Sequence, residues 1–295
     1  MPLIAVLSAA LALAAEISTA PQVSWHLKSS PHFEVYHESN LSPSAVSLEL
    51  ERMYSSMRLN LAMFAPWMVR EKTKIYIYSG RKSYIAGEFT PPKWSKGLAL
   101  FDKKTVVVYD TGDMAKLKAV LAHELTHLYF ESYFGEKLTY PPQWLNEGLA
   151  VFMEDNSYPK AGPWGQALPY LPKERLIKFD KFFSIKVVDL TSERQISDWY
   201  LQSYGIVAYL FRPRQRLQLK NFCALLRKGE KLKTALWETY RIQNTVELEG
   251  RWLLWAGSYN SEQNGGFSTA PASAGFNFQP AQFSSFPFTS FGSKK

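Results

Sequence analysis

The sequence predicts an α+β fold: a small mixed sheet with one chemistry-bearing helix, followed by a mostly helical C-terminal lobe. Three observations predict it. Short alternating apolar stretches fall in the first part of the chain, at 33–37, 74–78, 97–101 and 105–109, the pattern of half-buried strands. An amphipathic segment follows at once, with Leu117, Val120, Leu121, Leu125 and Leu128 at helical spacing. From about residue 193 to 255 the pattern is helical throughout, and strands followed by helices is the element order of an α+β fold. At 295 residues the chain is long enough for one sizeable core, or one domain with a smaller lobe.

Taken in order, residues 1–20 read as a signal peptide. Residues 3–15 form an apolar run of h-region length, too short to span a bilayer comfortably. Ala12 and Ala14 offer an Ala-x-Ala cleavage site before Ala15-Glu16. No Lys or Arg precedes the run, so an uncleaved N-terminal anchor is the alternative. The segment has no Cys, which excludes a bacterial lipoprotein. The single cysteine, Cys223, sits in the apolar run 222–226, is expected to be buried, and can form no internal disulfide. Export without disulfides fits the bacterial periplasm or a secreted protein.

Residues 33–37 and 74–78 are the first two strands. Between them Ser42 is an N-cap with Pro43 at the first helical position. The helix that follows carries Val46, Leu50, Met53, Met57, Leu61 and Phe64 on one face. Residues 97–101 and 105–109 are expected as two strands joined around Asp102-Lys103-Lys104. The stretch 156–192 is loop-rich, with Pro159, Pro163, Pro169 and Pro172, and is either a flap over a cleft or a surface connection. Helices are expected at 204–211, 217–226 and 232–240, the first opened by 199–204. A last helix is capped near Asn244 with Glu247 three residues on, and contains Glu249, Trp252 and Trp255. The division is therefore 1–20 signal peptide, 21–155 catalytic lobe, 156–256 loop-rich then helical lobe, and 257–295 a low-complexity tail expected to be disordered. The tail's Phe276, Phe278, Phe283, Phe286, Phe288 and Phe291 are anchors for a partner at the envelope surface, or have no folded role. The net charge of +8 comes without a dense Lys/Arg block; it suits an acidic partner or serves solubility alone. Nothing resembles a nucleic-acid module.

The chain is organised around residues 117–154. His123-Glu124-Leu125-Thr126-His127 lies on a helix that Asp113 can cap and Gly135 can end. At about 100° per residue, two His four apart differ by about 40° around the axis, so both imidazoles reach one metal ion. Glu124, about 100° from His123, stays off the metal but near a water at the open position. Catalytic zinc uses this set: three protein ligands and an acidified water. A second helix is expected after Pro141-Pro142, running through Met153 and projecting Glu147 as third ligand. Glu131, four residues past His127, is the rival third ligand. Glu154 lies on nearly the same face as Glu147 and can hydrogen-bond a ligand His from behind.

His123-Glu124-x-x-His127 followed by Asn146-Glu147-Gly148-x-Ala150 resembles the gluzincin clan of zinc metallopeptidases, and most closely its smaller peptidase MA-like members. The resemblance is specific over about residues 97–155 and looser to about 255. It implies a zincin-like fold with one Zn2+ per chain, His123, His127 and Glu147 as ligands, and Glu124 as general base in peptide-bond hydrolysis. It also implies a substrate edge strand, for which Gly97, Leu98, Ala99 and Leu100 are the candidates by order, with an ordinary hairpin as the other reading. The aminopeptidase branch carries a Gly-x-Met-Glu-Asn stretch that is missing here, which favours endopeptidase action. Thermolysin-like enzymes steady the oxyanion with a downstream His. The remaining histidines, His26, His32 and His37, all lie upstream, so a Tyr or Arg must serve. Residues 199–204 resemble the family's Tyr-x-Gln-Ser segment, making Tyr200 the first choice and Tyr204 the second, against simple core packing.

The expected partner is a peptide or protein substrate, with no nucleic acid and no transmembrane span in the mature chain. Two other classes share these residues: a non-catalytic binding or assembly protein that keeps the fold, and a zinc amide hydrolase acting on the cell envelope.

Overall fold

The computed structural model describes residues 24–38, 43–137, 139–158 and 162–259. Ser42, Pro159, the 1–20 segment and the tail from residue 260 onward lie outside them. The four expected strands form, and a fifth precedes them. β1 (His26–Ser29) pairs antiparallel with β2 (Phe33–His37). Helix α1 (Pro43–Leu61) leads to β3 (Thr73–Tyr78), which lies parallel to β2. After the short α2 (Arg81–Ala86), β4 (Gly97–Leu100) and β5 (Thr105–Tyr109) form an antiparallel pair. Lys104 turns that corner in a left-handed conformation, φ 49°. β5 runs parallel to β3, giving the order β1-β2-β3-β5-β4 with β4 at one edge.

Period-2 alternation decides what each face meets. Phe33, Val35, Ile75, Ile77, Val106 and Val108 point into the main core. Tyr78, Leu98 and Val107 point the other way, into a small cluster with Tyr84 of α2. On the main-core side α1 buries the whole face read from the sequence, Val46, Leu50, Met53, Met57 and Leu61, with Phe64 just beyond its end.

α3 (Met114–Gly135) starts where its cap predicts: Asp113 Oδ1 accepts from the Ala115 and Lys116 amides at 2.9 and 3.3 Å. α4 (Gln143–Asp155) begins directly after Pro141-Pro142. The stretch beyond it holds α5 (Pro163–Ala167), α6 (Phe179–Phe182) and several 3-10 turns. Trp164, Leu168, Phe179 and Phe182 from this stretch are fully buried, so its described part is fastened into the core. α7 (Glu193–Leu210) starts six residues before the expected 199, under a capping box of Ser192 and Gln195. α8 (Arg216–Arg227), α9 (Leu232–Tyr240) and α10 (Thr245–Gly257) follow, the last capped by Asn244 Oδ1 accepting from the Glu247 amide at 2.9 Å. Cys223 is buried, as its apolar run predicts.

One apolar core runs from Phe33 in β2 to Trp252 in α10, across the boundary expected at residue 155. α4 and α7 make its tightest joint. A methyl group added at Gly148 would sit 2.5 Å from the Ser203 carbonyl oxygen, so only glycine lets the two backbones approach this closely. The fold is α+β and zincin-like: a small mixed sheet, two long helices against it, and a helical C-terminal part. Among the described residues no helix is long and apolar enough to cross a membrane.

Candidate metal centre

His123 and His127 sit one turn apart on α3, and their Nε2 atoms face each other at 3.1 Å. Glu147, from α4, brings Oε2 to 3.7 Å from His123 Nε2 and 3.8 Å from His127 Nε2. Ligand bonds of about 2.0–2.2 Å in a tetrahedron place ligand atoms about 3.3–3.5 Å apart, so this triangle has the size of a divalent metal site. It is the one such group of His, Cys, Asp or Glu among the described residues. Glu147 Oε2 is buried without a hydrogen-bond partner. A buried carboxylate oxygen left unpaired is costly, and a cation in the triangle removes that cost.

The surroundings orient these side chains. His123 Nδ1 donates to Glu154 Oε2 at 3.0 Å, which leaves the Nε2 lone pair for a metal. Glu131, the rival third ligand, lies behind His127: its Oε1 is 3.9 Å from Nδ1, on the other side of the ring from Nε2. That same oxygen accepts from Asn146 Nδ2 at 2.8 Å. Asn146 thus ties α4 to α3 beside Glu147, a role the sequence did not disclose.

The electrostatics of the triangle are set by burial and by opposite charges at close range. Burial alone would lower the His123 pKa, but the adjacent Glu147 and Glu154 carboxylates raise it to about 10. For Glu147 burial pushes upward and is outweighed by His127, His123 and the Tyr200 hydroxyl, so its pKa falls below the ordinary carboxylate value. Glu124 is buried and its pKa is raised by that burial, against the two imidazoles. Its position is set by β4: a methyl at Gly97 would lie 2.5 Å from Glu124 Cγ and 2.7 Å from Oε1. The backbone of the edge strand therefore runs directly against this carboxylate, with no room for a side chain between.

The two tyrosines part company. Tyr200 hydrogen-bonds Glu147, and burial together with that carboxylate holds its pKa well above the ordinary phenol value, so it stays a neutral donor. Tyr204, the second choice, faces another group: its hydroxyl donates to Asp155 Oδ2 at 3.0 Å and lies 3.1 Å from the Tyr259 hydroxyl. One helical turn separates them on α7, and each meets a different carboxylate of α4. Asp155 also accepts from the amides of Trp164 at 3.0 Å and Gly165 at 3.2 Å, pinning α5 to the end of α4.

A family model described as Peptidase MA superfamily matches residues 59–257, more than half of the chain and all of the residues just described except Tyr259. No curated protein matches the chain.

Proposed function

The chain belongs to the Peptidase MA superfamily, a metallopeptidase-type family, and from that premise we propose that it is an exported zinc-dependent endopeptidase. The observation that carries the proposal is the triangle of His123 Nε2, His127 Nε2 and the unpartnered Glu147 Oε2. Two imidazoles and one carboxylate from two helices, with the next side chain on α3 a buried glutamate, are the donor set of a hydrolytic zinc site. When bound, zinc supplies a Lewis acid and brings the pKa of water down to about 7.

In this proposal the rest is done by side chains and backbone of the chain. Glu124 takes a proton from the attacking water and returns it to the leaving amine. Burial makes its carboxylate a stronger base than an exposed one. Tyr200, kept neutral beside Glu147, turns its one hydroxyl proton from that carboxylate to the oxyanion that forms on the substrate carbonyl. β4 has a sheet neighbour on one side only, and an extended peptide adds along its other side through main-chain hydrogen bonds. Residues 21–155 then carry the ligands and the base, and the helical lobe 156–256 supplies Tyr200. The apolar run 3–15 supports export.

Metal analysis and a fluorogenic peptide screen test this together. Wild type should bind about one zinc per chain and cleave peptides, with cleavage lost on chelation. Glu124→Gln should keep its zinc and lose activity by about 10²–10⁴-fold or more. Full activity in that variant would refute the role given to Glu124, and a wild type that takes up no zinc would refute the site.

A further inference from the structure

A second site lies at the other end of α7. Tyr209 is nine residues beyond Tyr200, about 14 Å along the helix. There a cavity of about 230 Å³ is lined by Tyr209, Arg212, Gln215, Gln218, Arg241 and Arg251 among others, with no acidic residue in its wall. Its volume lies below the roughly 300 Å³ at which pockets for drug-sized ligands begin, so it suits a small group.

Two of its arginines, the half-buried Arg212 and the exposed Arg241, are held by neutral groups. Arg212 stacks on the Tyr209 ring, Cζ 3.8 Å from the centroid, and its Nε and Nη2 both reach a neutral acceptor, Gln215 Oε1, at 3.4 Å. Arg241 is held by the Trp237 carbonyl oxygen, at 3.3 Å from Nη1. Among the described residues neither of these arginines has a carboxylate within ion-pairing distance, whereas Arg251 is paired with Glu247. Arg241 also occupies a left-handed conformation, φ 55°, as the C-cap of α9. Helices normally place glycine there, so backbone geometry does not explain an arginine.

We propose that this cavity binds a phosphate group, carried either by a small soluble molecule or by a lipid headgroup. The planar guanidinium forks of Arg212 and Arg241 donate to its oxygens. This site is independent of the peptidase reading, since binding is measured without turnover.

The test is calorimetric titration of the full chain with inorganic phosphate, and sedimentation with phosphatidylcholine vesicles with and without phosphatidic acid. Wild type should bind phosphate saturably at one site. Arg212→Met and Arg241→Gly should each weaken binding roughly tenfold or more. Arg241→Gly suits the left-handed backbone, so its melting temperature should match or exceed wild type while binding falls. Added binding to phosphatidic acid vesicles identifies a lipid source, and phosphate binding alone a soluble one. No phosphate binding by wild type, unchanged binding by Arg241→Gly, or vesicle binding that survives Arg241→Gly overturns the proposal.

Discussion

Helix α4 buries a carboxylate near each end, and the two are driven in opposite directions. Glu147 faces two imidazoles and a phenol, and its pKa is held below the ordinary value despite complete burial. Asp155 meets neutral donors only, two amides and the Tyr204 hydroxyl, and burial lifts its pKa to about 7. Desolvation acts on both; the neighbours decide the outcome. One end of the helix is arranged to hold a negative charge and therefore to attract a cation. The other is arranged to hold a carboxyl group that fixes a loop. The difference lies in what the neighbouring elements present to Glu147 and Asp155, since both are buried carboxylates of one helix.

The largest expected effect separates the two ends by metal content. Glu147→Ala should abolish stoichiometric zinc binding, while Asp155→Ala should leave it near one per chain and lower unfolding stability by about 1–3 kcal/mol. Equal zinc loss in both would break the contrast. The next concerns pH. The folded pKa of Asp155 stands above the ordinary aspartate value of about 3.9. Its contribution is therefore complete below about pH 4 and is lost as pH rises to about 7. Urea melts from about pH 5 to about pH 8 should show wild type losing about 2–3 kcal/mol more than Asp155→Asn. Parallel curves for the two proteins would mean that the carboxyl is already ionised at the acid end. A smaller effect sits behind the ligands: Glu154→Gln should weaken zinc about 10–100-fold in a chelator competition without unfolding the chain. The smallest is Tyr204→Phe, which should cost about 1 kcal/mol of stability and leave peptide cleavage unchanged. A large drop in kcat there would return Tyr204 to the reacting centre.

How much of this was legible in the sequence follows from the range of the interactions. β2, β3, β4 and β5 each bury one or both faces, so their apolar pattern shows. β1 leaves all four of its residues exposed and carries no such signal. α2, α5 and α6 span too few residues for a period to register. The start of α7 is polar over its first turn, and Ser192 with Gln195 was the available cue. The pairing of His123 with His127 was readable because helix geometry alone brings them together, and Glu147 on the next helix was readable through the resemblance of its Asn-Glu-Gly surroundings. The choice between Tyr200 and Tyr204 was not, since residues four apart share a face and differ only in which part of α4 they meet. Nor could one strand residue and one helix residue announce the Gly97–Glu124 contact, which exists only once the sheet and α3 are stacked. The arginine cavity escaped for a related reason: Arg212 and Arg241 lie in separate turns, and no local charge density marks them.

The two borders of the sheet have a further consequence, for how copies of the chain behave toward one another. A border strand offers amides and carbonyls that any extended segment can use, including one from another copy. β1 carries Lys28 along a fully exposed strand, and charge of that kind discourages a neighbour from zipping on. β4 has no charged residue among Gly97, Leu98, Ala99 and Leu100. Its protection is brevity: four residues supply too few cross-chain bonds to repay the ordering of a second chain. Lengthening that strand to gain affinity for peptides would at the same time make it a template for fibrous self-assembly.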